Sequence, residues 1–169
     1  RILSRASKIV NRLLTFGRKT EFSFNALDLN TLVLSTQAFL RRAIPQMVEI
    51  DIDLDQDLPL ITADPTQIEQ VLINLVSNAA DAIQPHGRGT VTIRTRALRL
   101  EEQRVTLEQD LEPGEYVLLA VEDDGCGMNQ DVLQSIFDPF YTTKDVDKGT
   151  GLGLATVSSI LKEHGGGIS

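Results

Sequence analysis

The chain has 169 residues, of which 16 are Lys or Arg and 24 are Asp or Glu, so its formal net charge is -8 at pH 7. Hydrophobic residues make up 41% and charged residues 24%, which is typical of one folded domain. The acidic balance argues against nucleic acid as a partner, because phosphate backbones attract basic surfaces. The longest apolar run, Tyr116–Val121, is too short to span a bilayer, and a single cysteine, Cys126, excludes an internal disulfide. The composition predicts a soluble, cytoplasmic chain.

The first segment has the pattern of a basic amphipathic helix. Its apolar positions follow one another at steps of four and three: Ile2, Ala6, Ile9, Leu13 and Phe16. Two interpretations stay open, a helix packed on its own domain or part of a helical hairpin that dimerises. The pattern begins at Arg1 without a capping residue, which favours a helix cut from a longer one. We expect residues 1–20 to be that helix and residues 21–29, which are polar and aperiodic, to be a linker.

From residue 30 onward the pattern predicts a compact domain. Asn30 is suited to cap a helix that ends before Pro45. Apolar and acidic residues alternate over Val48–Leu54, which predicts a half-buried strand with an acidic outer face. An aspartate, a proline and a glutamine within residues 64–67 form a strong helix start, and an apolar stripe continues this helix to residue 83.

The second half of the chain adds strands and helices. Strand patterns lie at residues 91–100 and 115–123, and helical patterns at 129–137 and 150–164. Because Tyr116–Val121 is apolar throughout, we expect its strand to be central and covered. Residues 101–114 are a charged excursion, and residues 138–149 are long and irregular. Without regular alternation of strand and helix, these elements predict an α+β fold, a mixed sheet covered on one face by helices.

Three polar side chains interrupt the apolar stripe of the helix that follows residue 64. Asn74, Asn78 and Asp81 are separated by steps of four and three, which places them on one helix face. A lone asparagine would simply face water, but a clustered break in a local pattern is where a site is expected. An amide oxygen is a hard, neutral ligand that suits one position on Mg²⁺, with phosphate and water at the others. The cluster therefore indicates a metal and phosphate site.

A carboxylate and two glycines follow the second long strand, at Asp123–Gly127. The pattern is consistent with an ordinary turn, which is the preferred interpretation when it is taken alone. It is also consistent with a carboxylate that accepts a hydrogen bond from an amino group such as that of adenine, while the glycines let a planar base approach the backbone.

Gly149–Leu154 is rich in glycine and leads directly into a helix. Such a turn exposes backbone N–H groups that suit phosphates, although it is neither a P-loop nor a dinucleotide motif. Between the two glycine motifs, Phe137–Lys144 combines aromatic rings, hydroxyl groups and a cation. We expect this segment to be a hinge or lid over a ligand.

The order and spacing of these motifs closely resemble the N, G1, F and G2 boxes of sensor histidine kinases. The matching segments are Asn74–Asn78, Asp123–Gly127, Phe137–Phe140 and Gly149–Gly153. The F box continues through Thr143 and Lys144 in a variant seen in nitrogen-regulation-type and hybrid kinases. The resemblance runs from about residue 30 to the C-terminus, and implies a two-layer α/β sandwich of the superfamily shared with gyrase, MutL and heat-shock chaperones. It also implies that residues 1–20 belong to a dimerisation and histidine-phosphotransfer hairpin.

The same resemblance implies a role for each matched residue, with ATP and Mg²⁺ as cofactors. Asn78 would be the Mg²⁺ ligand, supported by Asn74, and Asp123 would read adenine. Lys144 would meet the terminal phosphate, so that Asn74 and Lys144 are the expected catalytic residues. The other residues implied to contact the nucleotide are Asp81, Gly125, Gly127, Met128, Thr143, Gly149, Thr150, Gly151, Leu152, Gly153 and Leu154.

Two features depart from the family pattern. The family's phospho-accepting histidine lies in a motif on the first hairpin helix, whereas the histidines here are His86 and His164, neither in such a motif. We expect His86 to be a solvated loop residue and His164 a charge partner at a helix C-terminus. The family's domain also continues with a further strand beyond the final glycines, so we expect this chain to be a piece of a longer kinase.

Three functions are compatible with these motifs: a histidine kinase, an ATPase of the same superfamily, and a nucleotide-binding module without catalysis. Hydrolytic relatives carry a glutamate where this chain has Asn74, and an asparagine cannot accept a proton from water at neutral pH. The kinase is therefore preferred. Its partners would be its own hairpin, a second copy in a homodimer, and the receiver domain of a response regulator, with membrane contact only through regions outside this chain.

Overall fold

The computed structural model describes residues 23–106, 109–144 and 149–169. Its elements in chain order are β1 (Asn25–Leu27), α1 (Leu29–Ala43), β2 (Val48–Leu54), β3 (Ile61–Ala63), α2 (Pro65–Ile83), a 3₁₀ turn (Gln84–His86), β4 (Gly89–Leu100), β5 (Arg104–Val105), β6 (Asp110–Leu111), β7 (Gly114–Asp123), α3 (Gln130–Ser135) and α4 (Gly153–Glu163). The predicted α+β class is confirmed. The helix predicted over residues 1–20 lies outside the described residues.

The main sheet is mixed and has three strands in the order β2-β4-β7. β2 runs parallel to β4, with Val48 opposite Gly89, and β7 runs antiparallel to β4, with Asp123 opposite Val91. The expectation that Tyr116–Val121 forms the central strand is wrong, because within the described residues β4 is central and β7 pairs on one side. A continuous apolar run shows that both faces of a strand carry apolar side chains, but it does not count the strand's neighbours.

Helices cover one face of this sheet. Val91, Ile93 and Thr95 of β4 are completely buried beneath them, and α2 contacts β4, β7, α1 and α4. The opposite face is charged, as the alternation in β2 predicted, and Arg94 of β4 pairs there with Asp53 and Glu122. The two faces of β4 therefore separate an apolar core from a layer of exposed ion pairs.

The stretch predicted as a linker contains the first strand of the domain. β1 pairs antiparallel with β3, and Leu27 is buried in the core. The assignment of residues 21–29 to a linker is therefore wrong from residue 25 onward. A strand of three residues is too short to show the alternation by which strands are identified in a sequence.

The start of α1 also differs from the prediction. Asp28, not Asn30, is the N-cap, and its side chain accepts a hydrogen bond from the Thr31 amide at 3.1 Å. The side chain of Asn30 instead joins α1 to the sheet: its Nδ2 donates to the Asp55 carbonyl and its Oδ1 accepts from the Thr95 hydroxyl. Asp and Asn are both good caps, so the sequence did not discriminate between positions two residues apart.

The start of α2 agrees with the prediction. Asp64 is the N-cap, with one carboxylate oxygen accepting from the Thr66 amide at 2.9 Å and the Gln67 amide at 3.3 Å. Its other oxygen accepts from the Ser23 amide at 2.9 Å. The hydrogen bond from Ser23 is the largest cause of a pKa for Asp64 below its ordinary value. Asp64 thus joins the start of α2 to Ser23, which lies just before β1.

The two C-terminal helices are present with shorter bounds than predicted. α3 occupies the middle of its predicted range, and α4 begins at Gly153, three residues later than the pattern suggested. The charged excursion contains the small β5-β6 pair. Among the described residues, no helix combines the length and the apolar character that a bilayer span requires.

Candidate functional site

The polar face of α2 is connected to the first turn of α4 through Asn74. Its Nδ2 donates to the Gly153 carbonyl at 3.2 Å, and its Oδ1 accepts from Gln70 Nε2 at 3.2 Å. Gln70 lies one turn before Asn74 on the same face, a spacing from which this contact could have been predicted. Asn74 is therefore held on both sides and fixes the end of the glycine-rich turn.

Asn78 and Asp81 lie further along the same face and share a cation. Lys144 Nζ donates to Asn78 Oδ1 at 3.2 Å and pairs with Asp81 Oδ2 at 2.5 Å. The side chains of Lys144 and Asp81 are 33% and 37% exposed, so the pair is only partly screened by water. Three residues that the sequence placed in separate motifs or on separate turns are thus brought into contact.

The glycine-rich turn is fastened to the aromatic segment through the backbone. Phe140 donates its amide to the Gly151 carbonyl at 2.8 Å. Gly151 has φ +62°, and a Cβ atom there would lie 2.3 Å from the Phe140 carbonyl carbon, so only glycine fits. Phe140 itself has φ 71° and an exposed ring. A bulky residue in this conformation indicates local strain of the kind found at functional sites.

The end of the glycine-rich turn also packs against Asn74 and Asn78. A Cβ atom on Gly153 would be 3.7 Å from Asn78 Nδ2, and Leu152, the residue that precedes α4, makes no side-chain capping bond. The first N–H groups of α4 are therefore left for other acceptors beside Asn78 and Lys144. Thr143 and Thr150 are exposed, and Leu152 and Leu154 are partly exposed, along the same loop.

The loop at the end of β7 contains the second predicted part of the site. Asp123 is exposed, and its Oδ1 accepts from the Gly125 amide at 3.0 Å, which is turn geometry. A Cβ atom on Gly125 would lie 2.6 Å from the Ala82 carbonyl carbon, so this glycine permits close approach to α2. Gly127 has φ +67° with open space around it, and Met128 is exposed.

Both parts of the site are attached to one helix. The Asp123–Gly127 loop meets α2 through the Cys126 amide, which donates to the Ala82 carbonyl at 3.0 Å. Ala82 lies eight residues after Asn74, a rise of about 12 Å along the helix. The Asp123–Gly127 loop therefore meets α2 beside the cluster of Asn78, Asp81 and Lys144, while Asn74 lies about two turns further toward the N-terminus of the helix.

The two histidines lie outside this site. His86 is exposed in the turn after α2, as expected. His164 caps α4 and accepts a hydrogen bond at Nε2 from the Asp64 amide at 3.1 Å, while Nδ1 lies 2.7 Å from the Ile160 carbonyl. His164 thus stands at the C-terminus of α4 as expected, with its ring against a carbonyl of the last turn. Its contact with the Asp64 amide, 100 residues away, was not visible in the sequence.

Asn78 and Asp81 offer oxygen donors for a metal ion whose other ligands would be phosphate and water. Within the described ranges, no group of three or more His, Cys, Asp and Glu residues is arranged to hold a metal alone. The amide oxygen of Asn78 and the carboxylate oxygen of Asp81 are hard donors of the type that Mg²⁺ prefers, and a cation, the Lys144 ammonium, already lies between them. The donor set is therefore compatible with Mg²⁺ bound together with phosphate and water.

Proteins with similar sequences include sensor kinases. The chain is 42% identical over 165 residues to the sensor kinase CckA of Brucella abortus (strain 2308), a match that covers 98% of this chain and 17% of CckA. It is 37% identical over 165 residues to the sensor histidine kinase ZraS of Escherichia coli (strain K12), covering 97% of this chain and 31% of ZraS. The chain thus spans less than a third of the length of either relative.

Solved structures and a family model agree with this similarity. The histidine kinase ThkA in complex with the response regulator protein TrrA has a TM-score of 0.66 at 26% identity, covering 97% of this chain and 42% of ThkA. Full-length ShkA in complex with AMPPNP has a TM-score of 0.63 at 25% identity, covering 86% of this chain and 27% of ShkA. Residues 63–169, which contain all four sequence motifs, match one family model. The chain therefore belongs to the family of histidine kinase-, DNA gyrase B- and HSP90-like ATPases.

Proposed function

We propose that this chain is the ATP-binding catalytic domain of a sensor histidine kinase. It transfers the γ-phosphoryl group of ATP to a histidine outside this chain, and from there the phosphoryl group passes to an aspartate of a response regulator. The observation that carries the proposal is that Asn74 and Asn78 lie against Gly153 in the first turn of α4 while Lys144 donates to Asn78. Phosphoryl transfer depends on positioning and on neutralising charge, and this cluster supplies both.

Each residue has a task in this function. Asn78, with Asp81 beside it, would hold Mg²⁺, which would supply positive charge to neutralise the phosphates. Lys144 pairs with the terminal phosphate, and N–H groups of the glycine-rich turn and of the first turn of α4 receive phosphate oxygens. Asp123, in the loop that packs on Ala82, accepts a hydrogen bond from the adenine amino group. The residues that line the base and the turn include Gly125, Gly127, Met128, Thr143, Thr150 and Leu154.

Asn74 favours a kinase over an ATPase. Its amide cannot act as a general base, and both ends of that amide are engaged by Gln70 and Gly153. A water molecule near the terminal phosphate would find no proton acceptor at this position. The proposed nucleophile is an imidazole supplied by a dimerisation and phosphotransfer hairpin.

The named relatives support the partners of this function. The ThkA structure contains a response regulator, and the ShkA structure contains AMPPNP. We extend these partners to the present chain: a receiver domain, an adenine nucleotide with Mg²⁺, its own hairpin, and a second copy in a homodimer. The site would operate in the cytoplasm, where response regulators and ATP are found.

Base selectivity tests the nucleotide site. Asp123→Ala should weaken ATP binding by roughly one to two decades, because a charge-assisted hydrogen bond is lost, and wild type should prefer ATP to GTP. Asp57→Ala removes an equal charge from an exposed position beyond β2 and serves as the control. Affinities are measured by calorimetry; equal binding of ATP and GTP by wild type would contradict the role of Asp123.

Phosphate transfer separates the kinase from the ATPase. With radiolabelled ATP and Mg²⁺, this chain alone should neither release phosphate at an appreciable rate nor label itself, because Asn74 stands where hydrolytic relatives have a base and neither His86 nor His164 lies in an acceptor motif. Labelling should appear on the hairpin when the complete hairpin of the parent protein is added. Rapid phosphate release would favour the ATPase, and labelling of His86 or His164 would contradict the assignment of the acceptor.

A further inference from the structure

The ammonium group of Lys144 occupies the position between the two oxygen donors assigned to the metal. Asn78 Oδ1 lies 3.2 Å and Asp81 Oδ2 lies 2.5 Å from Nζ. The two donors are three residues apart on α2, so one cation can contact both of them at once. Lys144 and a metal ion therefore compete for the same oxygens.

The loop presents Lys144 to these oxygens in a defined way. The Lys144 amide donates to the Thr142 hydroxyl at 3.2 Å, and Gly149 packs so closely that its Cβ would lie 3.0 Å from Lys144 Cβ. The pair with Asp81 is about two-thirds buried, which reduces its screening by water. Lys144 is thus held against Asp81 from its own side of the contact.

We propose that Lys144 makes this site reject free Mg²⁺ and accept the metal only together with a nucleotide. Free Mg²⁺ must displace the ammonium from Asn78 and Asp81 and brings no anion to receive it. Mg²⁺ bound to ATP brings phosphate oxygens, so Lys144 exchanges one anionic partner for another. The inference rests on the proposed function and adds the regulation of metal entry at the same site.

Free Mn²⁺ provides the test, because its unpaired electrons broaden nearby nuclear magnetic resonance signals even when binding is weak. The signals observed are the Asn78 side-chain amide and the Gly153 backbone amide, in protein without nucleotide. In Lys144→Met, the Mn²⁺ concentration that broadens them by half should be lower by about threefold or more, consistent with loss of a partly exposed ion pair. Lys144→Gln should give the same result and guards against misfolding of one variant.

Lys162→Met is the matched control, since it removes the same charge from an exposed position on α4 away from these oxygens. It should leave the Mn²⁺ response close to that of wild type. A response that is equal in Lys144→Met, Lys162→Met and wild type would overturn the inference. If ATP analogues still bind in that case, the proposed function stands; if wild type binds no nucleotide, the proposed function fails while the Mn²⁺ comparison remains informative.

Discussion

The two faces of α2 are held in different ways. One face is apolar and contributes Leu72, Val76 and Ile83 to the core, where each is at most 1% exposed. The other face carries Asn74, Asn78 and Asp81, which are partly exposed and held by hydrogen bonds to Gln70, Gly153 and Lys144. The helix is thus held by apolar packing on one face and by polar contacts on the other.

The difference separates stability from binding. Apolar packing is lost only when the domain unfolds, whereas hydrogen bonds and ion pairs at a partly exposed surface can be exchanged for a ligand. The apolar face therefore fixes where α2 lies, and the polar face can change partners without moving the helix. Substitutions on the apolar face should mainly lower the free energy of unfolding, whereas substitutions on the polar face should mainly change nucleotide affinity.

The largest effect on stability is expected from the apolar face. Leu72→Ala leaves a cavity in the core and should lower the free energy of unfolding by about 2–5 kcal/mol. Urea denaturation measures this loss, and Ser77→Ala, at an exposed position of the same helix, is the control with a change below about 0.5 kcal/mol. A loss below about 1 kcal/mol for Leu72→Ala would show that the apolar face is not the main anchor.

A smaller loss of stability is expected where the Asp123–Gly127 loop meets α2. Gly125→Ala places a methyl group against the backbone of Ala82, which cannot yield as a flexible side chain would, and should cost about 1–3 kcal/mol. It should also weaken nucleotide binding, because the loop that carries Asp123 must shift. Gly127→Ala has open space but a positive φ, so it should cost roughly 1–2 kcal/mol with Asp123 left in place. Equal effects of the two variants on affinity would refute this distinction.

The cap of α2 should contribute less, and its contribution depends on pH. Asp64 has a folded-state pKa below its ordinary value of 3.8, so its carboxylate stabilises the fold fully above that pH and less as pH falls toward the lowered value. Asp64→Asn keeps a good cap but loses the charge, and should cost about 1 kcal/mol at pH 7. Unfolding measured at pH 7, 5 and 3 should show the difference from wild type shrinking below about pH 4. A difference that is constant over this range would exclude the carboxylate as its cause.

The smallest effect on stability is expected from the polar face. Asn78→Ala should change the free energy of unfolding by less than about 0.5 kcal/mol, because its contacts are partly exposed. It should nevertheless abolish the strengthening of ATP-analogue binding by Mg²⁺, while ADP without metal binds as before. Calorimetry with and without Mg²⁺ measures both; the same strengthening in wild type and variant would mean that Asn78 is not a metal ligand.

Local features of the fold were predictable from the sequence, and distant contacts were not. The cap at Asp64 and the apolar stripe of α2 follow from residues within a few turns of one another, and the structure agrees with both. The place of β4 between β2 and β7 and the pairing of β1 with β3 depend on segments far apart in the chain, so local patterns could not reveal them.

The same limit applies to the site. Its motifs and their order were visible in the sequence, whereas the contact of Lys144 with Asp81 joins residues 63 positions apart. The packing of Gly125 on Ala82 likewise needed coordinates, because its five-residue pattern fits a turn, a base site or a close approach equally well.

The contacts at both ends of α4 limit how its length can change. Its first turn meets Asn74, and His164 after its last turn meets the Asp64 amide, so α4 runs antiparallel to α2 and is matched to it at two points. Insertion of one residue would rotate His164 by about 100° and move it about 1.5 Å along the axis, and both contacts could not form together. The segment from Gly153 to His164 should therefore not tolerate insertions or deletions, whereas the exposed residues 101–103, between β4 and β5, should accept them readily.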